Sequence, residues 1–168
     1  GLGLSFRQPK LLYRNIGGER FEDVSGDAGA AITAPAAARG AAFGDSDNDG
    51  RIDVVINNMN AAPSLLRSVT RNQNHWILIR LEGVKSNRSA IGTRIICVTG
   101  KVRQIEEVRS GGSFFSQNDL RIHFGLGTAP RIDLLEIHWP SGLVDRITGC
   151  EADRVIHVRE GSGIVNKP

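Results

Sequence analysis

Residues 43–55 read Phe43-Gly44-Asp45-Ser46-Asp47-Asn48-Asp49-Gly50-Arg51-Ile52-Asp53-Val54-Val55, and the fold turns on what flanks the acids. Carboxylates at alternate positions of a tight loop converge on one point, and Gly50 permits the sharp turn that brings them there. Downstream, Ile52 to Ile56 is a β-branched run suited to a strand. The stretch therefore predicts a strand-loop-strand frame with Asp45, Asp47 and Asp49 as side-chain metal ligands, the Arg51 carbonyl as a backbone ligand and Asp53 as the closing carboxylate. Oxygen-only donors suit a hard cation at six- or seven-fold coordination. Calcium fits better than magnesium, which demands strict octahedral geometry and keeps its waters. The alternative is a solvated acidic turn with no ion, in which the four carboxylates repel one another.

A helical calcium loop with the same opening pattern needs a bidentate Glu at its twelfth position, and here that position is Ile56. It also needs flanking helices, which a β-branched exit excludes. With no His, Cys or nucleophile nearby, the ion is expected to stiffen a β-turn and not to activate water.

Outward from the loop the chain continues as short strands. In the first 70 residues the candidates are Lys10 to Asn15, Phe21 to Asp23, Gly40 to Phe43, Val54 to Asn57 and Ser64 to Arg67, with a hairpin at Asn15-Ile16-Gly17-Gly18. Ala28 to Ala42 is Ala-rich, but Gly29, Pro35 and Gly40 interrupt it, which leaves a loop or at most one short helical turn. From Asn74 the strands lengthen: His75 to Leu81, Thr93 to Val98, Val102 to Val108, Leu120 to Phe124, Ile132 to Trp139, Val144 to Ile147 and Val155 to Arg159. Seven strands separated by Gly, Asn, Pro and Ser clusters favour a β-sandwich or a barrel. In His75 to Leu81, Ile77, Ile79 and Leu81 point one way and Leu78, Arg80 and Glu82 the other. The expected architecture is all-β: a partial sheet in residues 1–70, a polar link near Thr70 to Asn74, a sandwich-like or barrel-like domain in residues 71–163, and a tail in 164–168.

The chain of 168 residues carries 21 Lys/Arg against 18 Asp/Glu, too even a balance to argue for nucleic acid or an anionic membrane. The charge is uneven in position: residues 1–70 hold 7 basic and 8 acidic groups, the remainder 14 and 10, and four of those eight acids lie between Asp45 and Asp53. Cys97 and Cys150 are too few for a disulfide scaffold and lack zinc spacing, leaving either two semi-buried thiols or one disulfide. No run of about 18 apolar residues is present to span a membrane. The chain starts at Gly1 without Met and enters strand-like sequence directly, so it reads as part of a longer protein with any export signal upstream.

These residues resemble known families. Ala42-Phe43-Gly44-Asp45 with the acidic loop and Ile52-Asp53-Val54-Val55 is similar to the first hairpin of an FG-GAP/VCBS repeat, a blade of integrin α-like β-propellers. Leu12-Tyr13-Arg14-Asn15 with Phe21-Glu22-Asp23-Val24 resembles the end of a preceding blade. The second half looks like an ASPIC/UnbV domain, the module that follows such propellers in bacterial homologues of cartilage acidic protein. That likeness rests on Ser86-Asn87-Arg88 with Ala90-Ile91-Gly92-Thr93-Arg94, on Ser110-Gly111-Gly112-Ser113-Phe114 with Ser116-Gln117, on His123-Phe124-Gly125-Leu126-Gly127, and on Trp139-Pro140-Ser141-Gly142. The resemblance implies an extracytoplasmic, calcium-associated, non-enzymatic protein that is extracellular or periplasmic and adheres to a protein or glycan partner. A propeller needs four to eight blades, and this chain holds about one and a half. Its open strand edges are expected to pair with a second copy, fold against the second domain, or stay disordered.

Two further groups of residues offer chemistry. Phe114, Phe115, Gln117 and Trp139 combine stacking surface with hydrogen-bonding groups, which suits a glycan or peptide; equally, the glycines serve turns and the aromatics a core. His123, His138 and His157 sit on strands and, if gathered, would form an enzyme-like or metal site with Asp133 or Glu136; a solvated outer face is the simpler reading. No nucleophile elbow, phosphate loop or dinucleotide fingerprint appears, and no catalytic residue is assigned.

Overall fold

The structure, a computed structural model, describes residues 6–165. Among them strands make up about half of the residues (49%) and nearly all of the regular structure, and the single helix, α1 (Ala30–Thr33), is one turn within the Ala-rich stretch. Strands β1 (Tyr13–Gly17) and β2 (Arg20–Asp23) pair antiparallel. The turn between them holds Gly17 at φ +83° and Gly18 at φ +58°, a conformation that glycine adopts without steric cost. Strands β3 (Ala38–Gly44), β4 (Asp53–Asn58) and β5 (Ser64–Leu66) form an antiparallel sheet in that order. The acidic loop is thus the β3–β4 connection, with Gly44 opposite Asp53 where the pairing begins.

The second segment contains β6 (His75–Glu82), β7 (Arg94–Thr99), β8 (Val102–Glu107), β9 (Ile122–Gly127), β10 (Arg131–His138), β11 (Val144–Glu151), β12 (Arg154–Arg159) and β13 (Gly163–Ile164). They make two four-stranded sheets, β11-β10-β7-β8 and β13-β12-β6-β9. All pairings are antiparallel except β6 with β12, which run parallel. Ile77, Ile79, Phe124 and Val158 from one sheet and Ile95, Leu135 and Ile137 from the other belong to one buried apolar cluster. No barrel closes. The sandwich-like alternative holds, because each sheet buries one face against the other.

Three details depart from the sequence reading. Strand β9 runs on through Gly125-Leu126-Gly127, glycines that read as turn punctuation but here lie in a paired strand. Ile164 belongs to β13 and Val165 N–H donates to the His157 carbonyl at 2.8 Å, so the sheet reaches into the expected tail; residues 166–168 lie outside the described residues. Leu78, on the face opposite Ile77 and Ile79, is as buried as they are. The reason is that the first segment packs over it, with Phe43, Asp45 and Ile52 bordering the same cavity as Leu78.

That packing also answers what becomes of the β3 edge. The Ser113 and Ser116 hydroxyls both donate to the Ala41 carbonyl at 2.7 Å. Asn118 Oδ1 accepts from Phe43 N–H at 3.1 Å, and Asp119 N–H donates to the Phe43 carbonyl at 2.9 Å. The edge folds against the second segment, which satisfies backbone groups that would otherwise template pairing with another chain.

Candidate metal centre at the seam between the segments

Asp45 organises the acidic loop from within. It is 1% exposed, and its carboxylate accepts from Asp49 N–H at 3.1 Å and Gly50 N–H at 2.8 Å. Those bonds fold the loop back on itself and bring Asp45, Asp47 and Asp49 together, each offering an oxygen within 4.8 Å of the others. Ligand oxygens 2.3–2.6 Å from a calcium ion lie up to about 5 Å apart, so the spacing and the all-oxygen chemistry suit such an ion.

Asp53 stands outside that group. Its Oδ2 is held by the Ser46 hydroxyl and N–H, and its Oδ1 accepts from Ser68 N–H at 2.9 Å. Burial pushes the Asp53 carboxyl up, but the Ser46 and Ser68 hydrogen bonds and the nearby Arg51 charge outweigh it and hold the group below its ordinary range. Its observed work is to fasten the loop to the chain after β5. Arg51, read as a carbonyl ligand, brings its guanidinium to Asp49 and to the Ser68 carbonyl. Arg67 reaches Asp47 in the same way. Like-charge repulsion in the loop is therefore already offset by two guanidiniums, a compensation the local sequence pattern concealed because Arg67 is twenty residues from Asp47.

Strand β9 and its approach hold the loop from the other side. Arg121 donates to Asn48 Oδ1 at 2.6 Å and to the Asp45 carbonyl at 2.7 Å, while its Nε donates to Asp119 Oδ2 at 2.7 Å. His123 Nε2 lies 2.8 Å from the Gly50 carbonyl, which makes Nε2–H the donor. Its ring stacks with Trp76, centroids 6.3 Å apart and planes 8° off parallel. Arg121, His123 and Trp76 are site residues that sequence reasoning did not assign to the loop, since no short motif links β6 and β9 to a turn more than 20 residues upstream.

The three strand histidines do not gather. His123 faces the acidic loop; His138, on the other sheet, bonds Glu136 at 2.6 Å; His157, on β12, has Glu82 Oε2 3.1 Å from Nε2. The solvated face expected for them is likewise corrected for His123 and His157, which are covered by the loop and by neighbouring side chains. Among the described residues, the acidic loop is the one group of three or more His, Cys, Asp or Glu placed to share an ion.

The proposed ligand surface divides. Trp139 is buried at 3% exposure, with Nε1 donating to Asp145 Oδ2 at 2.8 Å, so it is a core ring and not a platform. Gln117 is spent inside its own loop, accepting from Gly111 N–H at 2.7 Å and donating to the Asn118 carbonyl at 2.8 Å. Phe114 and Phe115 remain open, 66% and 81% exposed, with centroids 4.2 Å apart. Cys97 and Cys150 are buried free thiols.

A second anchor, unmarked by any sequence signal, is Glu160. This buried carboxylate accepts from the N–H groups of Val84 (2.6 Å), Lys85 (2.7 Å) and Ser86 (2.8 Å), from the Ser86 hydroxyl (2.9 Å) and from the Ser141 hydroxyl. Burial raises its pKa, yet these donors overwhelm that effect and bring it down to about 2. Two separated motifs, Ser86-Asn87-Arg88 and Trp139-Pro140-Ser141-Gly142, meet on this one side chain.

The fold and site together define an all-β chain in which an acid-rich β-turn is clamped to the outer face of a two-sheet sandwich. Residues 83–165 match the family model described as ASPIC and UnbV, which takes in β7 to β13 and both serines on Glu160. No curated protein matches the chain.

Proposed function

We propose that this chain is a calcium-binding, non-enzymatic interaction module that works outside the cytoplasm and presents a surface to a protein or glycan partner. On this reading the first segment is a piece of an FG-GAP/VCBS propeller, and the ion sits in the β3–β4 turn. The observation that carries it is the convergence of Asp45, Asp47 and Asp49 at a spacing suited to calcium. Asp47 and Asp49 would exchange their guanidinium partners for the ion, while Asp45 keeps the turn closed. The ion's contribution is positive charge and rigidity. Because Arg121 and His123 grip the same turn, stiffening it also stiffens the seam on which the partner surface is built. The exposed Phe114–Phe115 pair, on the loop that seals the β3 edge, is the aromatic part of that surface.

Thermal melting of the full chain with and without calcium tests the reading. A ligand at one hundred times its Kd adds about 2.7 kcal/mol to the folded state, so Tm should climb with millimolar calcium and stop climbing in the Asp47→Asn, Asp49→Asn double variant. A melting curve indifferent to calcium in the parent protein refutes the metal assignment.

A further inference from the structure

A recess of about 670 Å³ opens beside the acidic turn, where β6 and β9 begin and end. Trp76 of β6 and Gly125 of β9 both border it, and they stand opposite one another in the antiparallel register, so they share a face of the sheet. A Cβ at Gly125 would meet nothing within 4 Å, which leaves open space next to the indole on that side. Gly50 covers a different part of the ring, since a Cβ there would fall within 2.3 Å of Nε1, Cε2 and Cδ1. Trp76 is accordingly half-buried, with part of its aromatic surface left to the recess.

The walls are polar. Asn74 lies two residues before Trp76, the spacing that puts side chains on one face of an extended chain, and its carboxamide has no hydrogen-bond partner among the described residues. Asn72 bends over the same wall, its Oδ1 accepting from Asn74 N–H at 2.9 Å. Across the recess Asp153 is fixed by two bonds, from Trp76 N–H to Oδ1 at 3.2 Å and from His75 Nδ1 to Oδ2 at 2.6 Å, and each oxygen keeps a further lone pair. Two carboxylates, Asp49 and Asp153, and two guanidiniums, Arg51 and Arg71, line the recess, a balance that favours neither anion nor cation.

We infer that this recess binds a neutral saccharide, one pyranose ring lying against Trp76 and its hydroxyls meeting Asn72, Asn74 and Asp153. A pyranose presents a face of C–H groups that packs on an aromatic ring and a rim of hydroxyls that are donors and acceptors at once, which carboxamides and a carboxylate match. An apolar ligand would strip water from these polar groups without replacing it, and a phosphate-bearing one would find no surplus of positive charge. The volume lies within the roughly 300–1,000 Å³ of small-molecule sites. The inference rests on the interaction reading above and deepens it by choosing a glycan over a protein partner. Of the three converging carboxylates of the turn, only Asp49 borders the recess.

Tryptophan fluorescence of the full chain, titrated in calcium-containing buffer with hexasaccharides of glucose, mannose and N-acetylglucosamine, tests it. Of the two tryptophans, Trp139 is a core ring at 3% exposure, so a saccharide-dependent change reports Trp76. A saturable change with at least one of these sugars is expected. Affinity should be at least tenfold weaker in Gly125→Val, whose side chain fills the open space beside the indole, and in Asn74→Ala, and unchanged in Arg94→Gln on the other sheet. No saturable change with any of the sugars, or full affinity in either recess variant that melts like the parent, overturns the assignment. Saccharide binding that fails while Tm still climbs with calcium strikes the recess alone; saccharide binding in a chain whose Tm ignores calcium strikes the metal reading alone.

Discussion

Gly50 lies against the indole of Trp76, so close that a Cβ placed at position 50 would fall 2.1 Å from Trp76 Nε1. Gly50 also has φ +84°, so a side chain there is both strained and obstructed. Gly50→Ala should destabilise the protein by at least about 1–2 kcal/mol and speed amide exchange across residues 45–50. Gly125→Ala is the control, because nothing lies within 4 Å of its Cβ position. Equal melting temperatures for the two variants would contradict the docked arrangement of the turn.

Glu160 sets an acid limit on the sandwich. Its ordinary pKa of 4.5 falls to about 2 in the fold, so the stability it contributes is fully present above about pH 4.5 and is lost as pH drops toward 2. Glu160→Gln should cost roughly 2–4 kcal/mol at pH 7, and the gap between variant and parent should close on acidification. Denaturant melts at pH 7, 4 and 2 give the comparison, and a gap that does not narrow would count against the five-donor cradle.

The two thiols should be inert while the protein is folded. Burial, with a smaller effect of the neighbouring Cys150, pushes Cys97 up to about 11, and burial also raises Cys150. At pH 8 almost no thiolate is present at Cys97. A chromogenic disulfide reagent should therefore report no fast-reacting thiol in native protein and two in denaturant. Rapid native labelling at either position would mean that the β7–β10–β11 packing opens.

Arg67 competes with any ion for Asp47. If calcium occupies the turn, Arg67→Gln removes the competitor and should tighten calcium binding severalfold by calorimetry, while lowering the stability of the metal-free protein only slightly, as expected for a half-exposed ion pair. Weaker calcium binding in this variant would assign Arg67 a supporting role instead.

Much of the fold was legible because strands announce themselves locally. Ile77, Ile79 and Leu81 alternate with a period of two, and twelve of the thirteen strands overlap segments that read as strands between turn residues. The exception, β13, has two residues, too few to display a period. The acidic turn was equally legible as far as Asp45, Asp47 and Asp49, since alternate carboxylates beside a turn glycine converge by local geometry alone. Trp139 and Gln117 misled because their types suit recognition, whereas burial and loop hydrogen bonding consume them.

By itself, then, the order of residues determined the strands, the position of the turn and the all-β class, all of which depend on neighbours a few bonds away. Only the tertiary structure decided that Arg121, His123 and Trp76 clamp the turn, that Leu78 is covered on its outer side, and that Glu160 gathers two distant motifs. These pairings join positions tens of residues apart, and a chain specifies them only once its sheets have packed, because hydrogen bonds and burial act through space without regard to sequence separation.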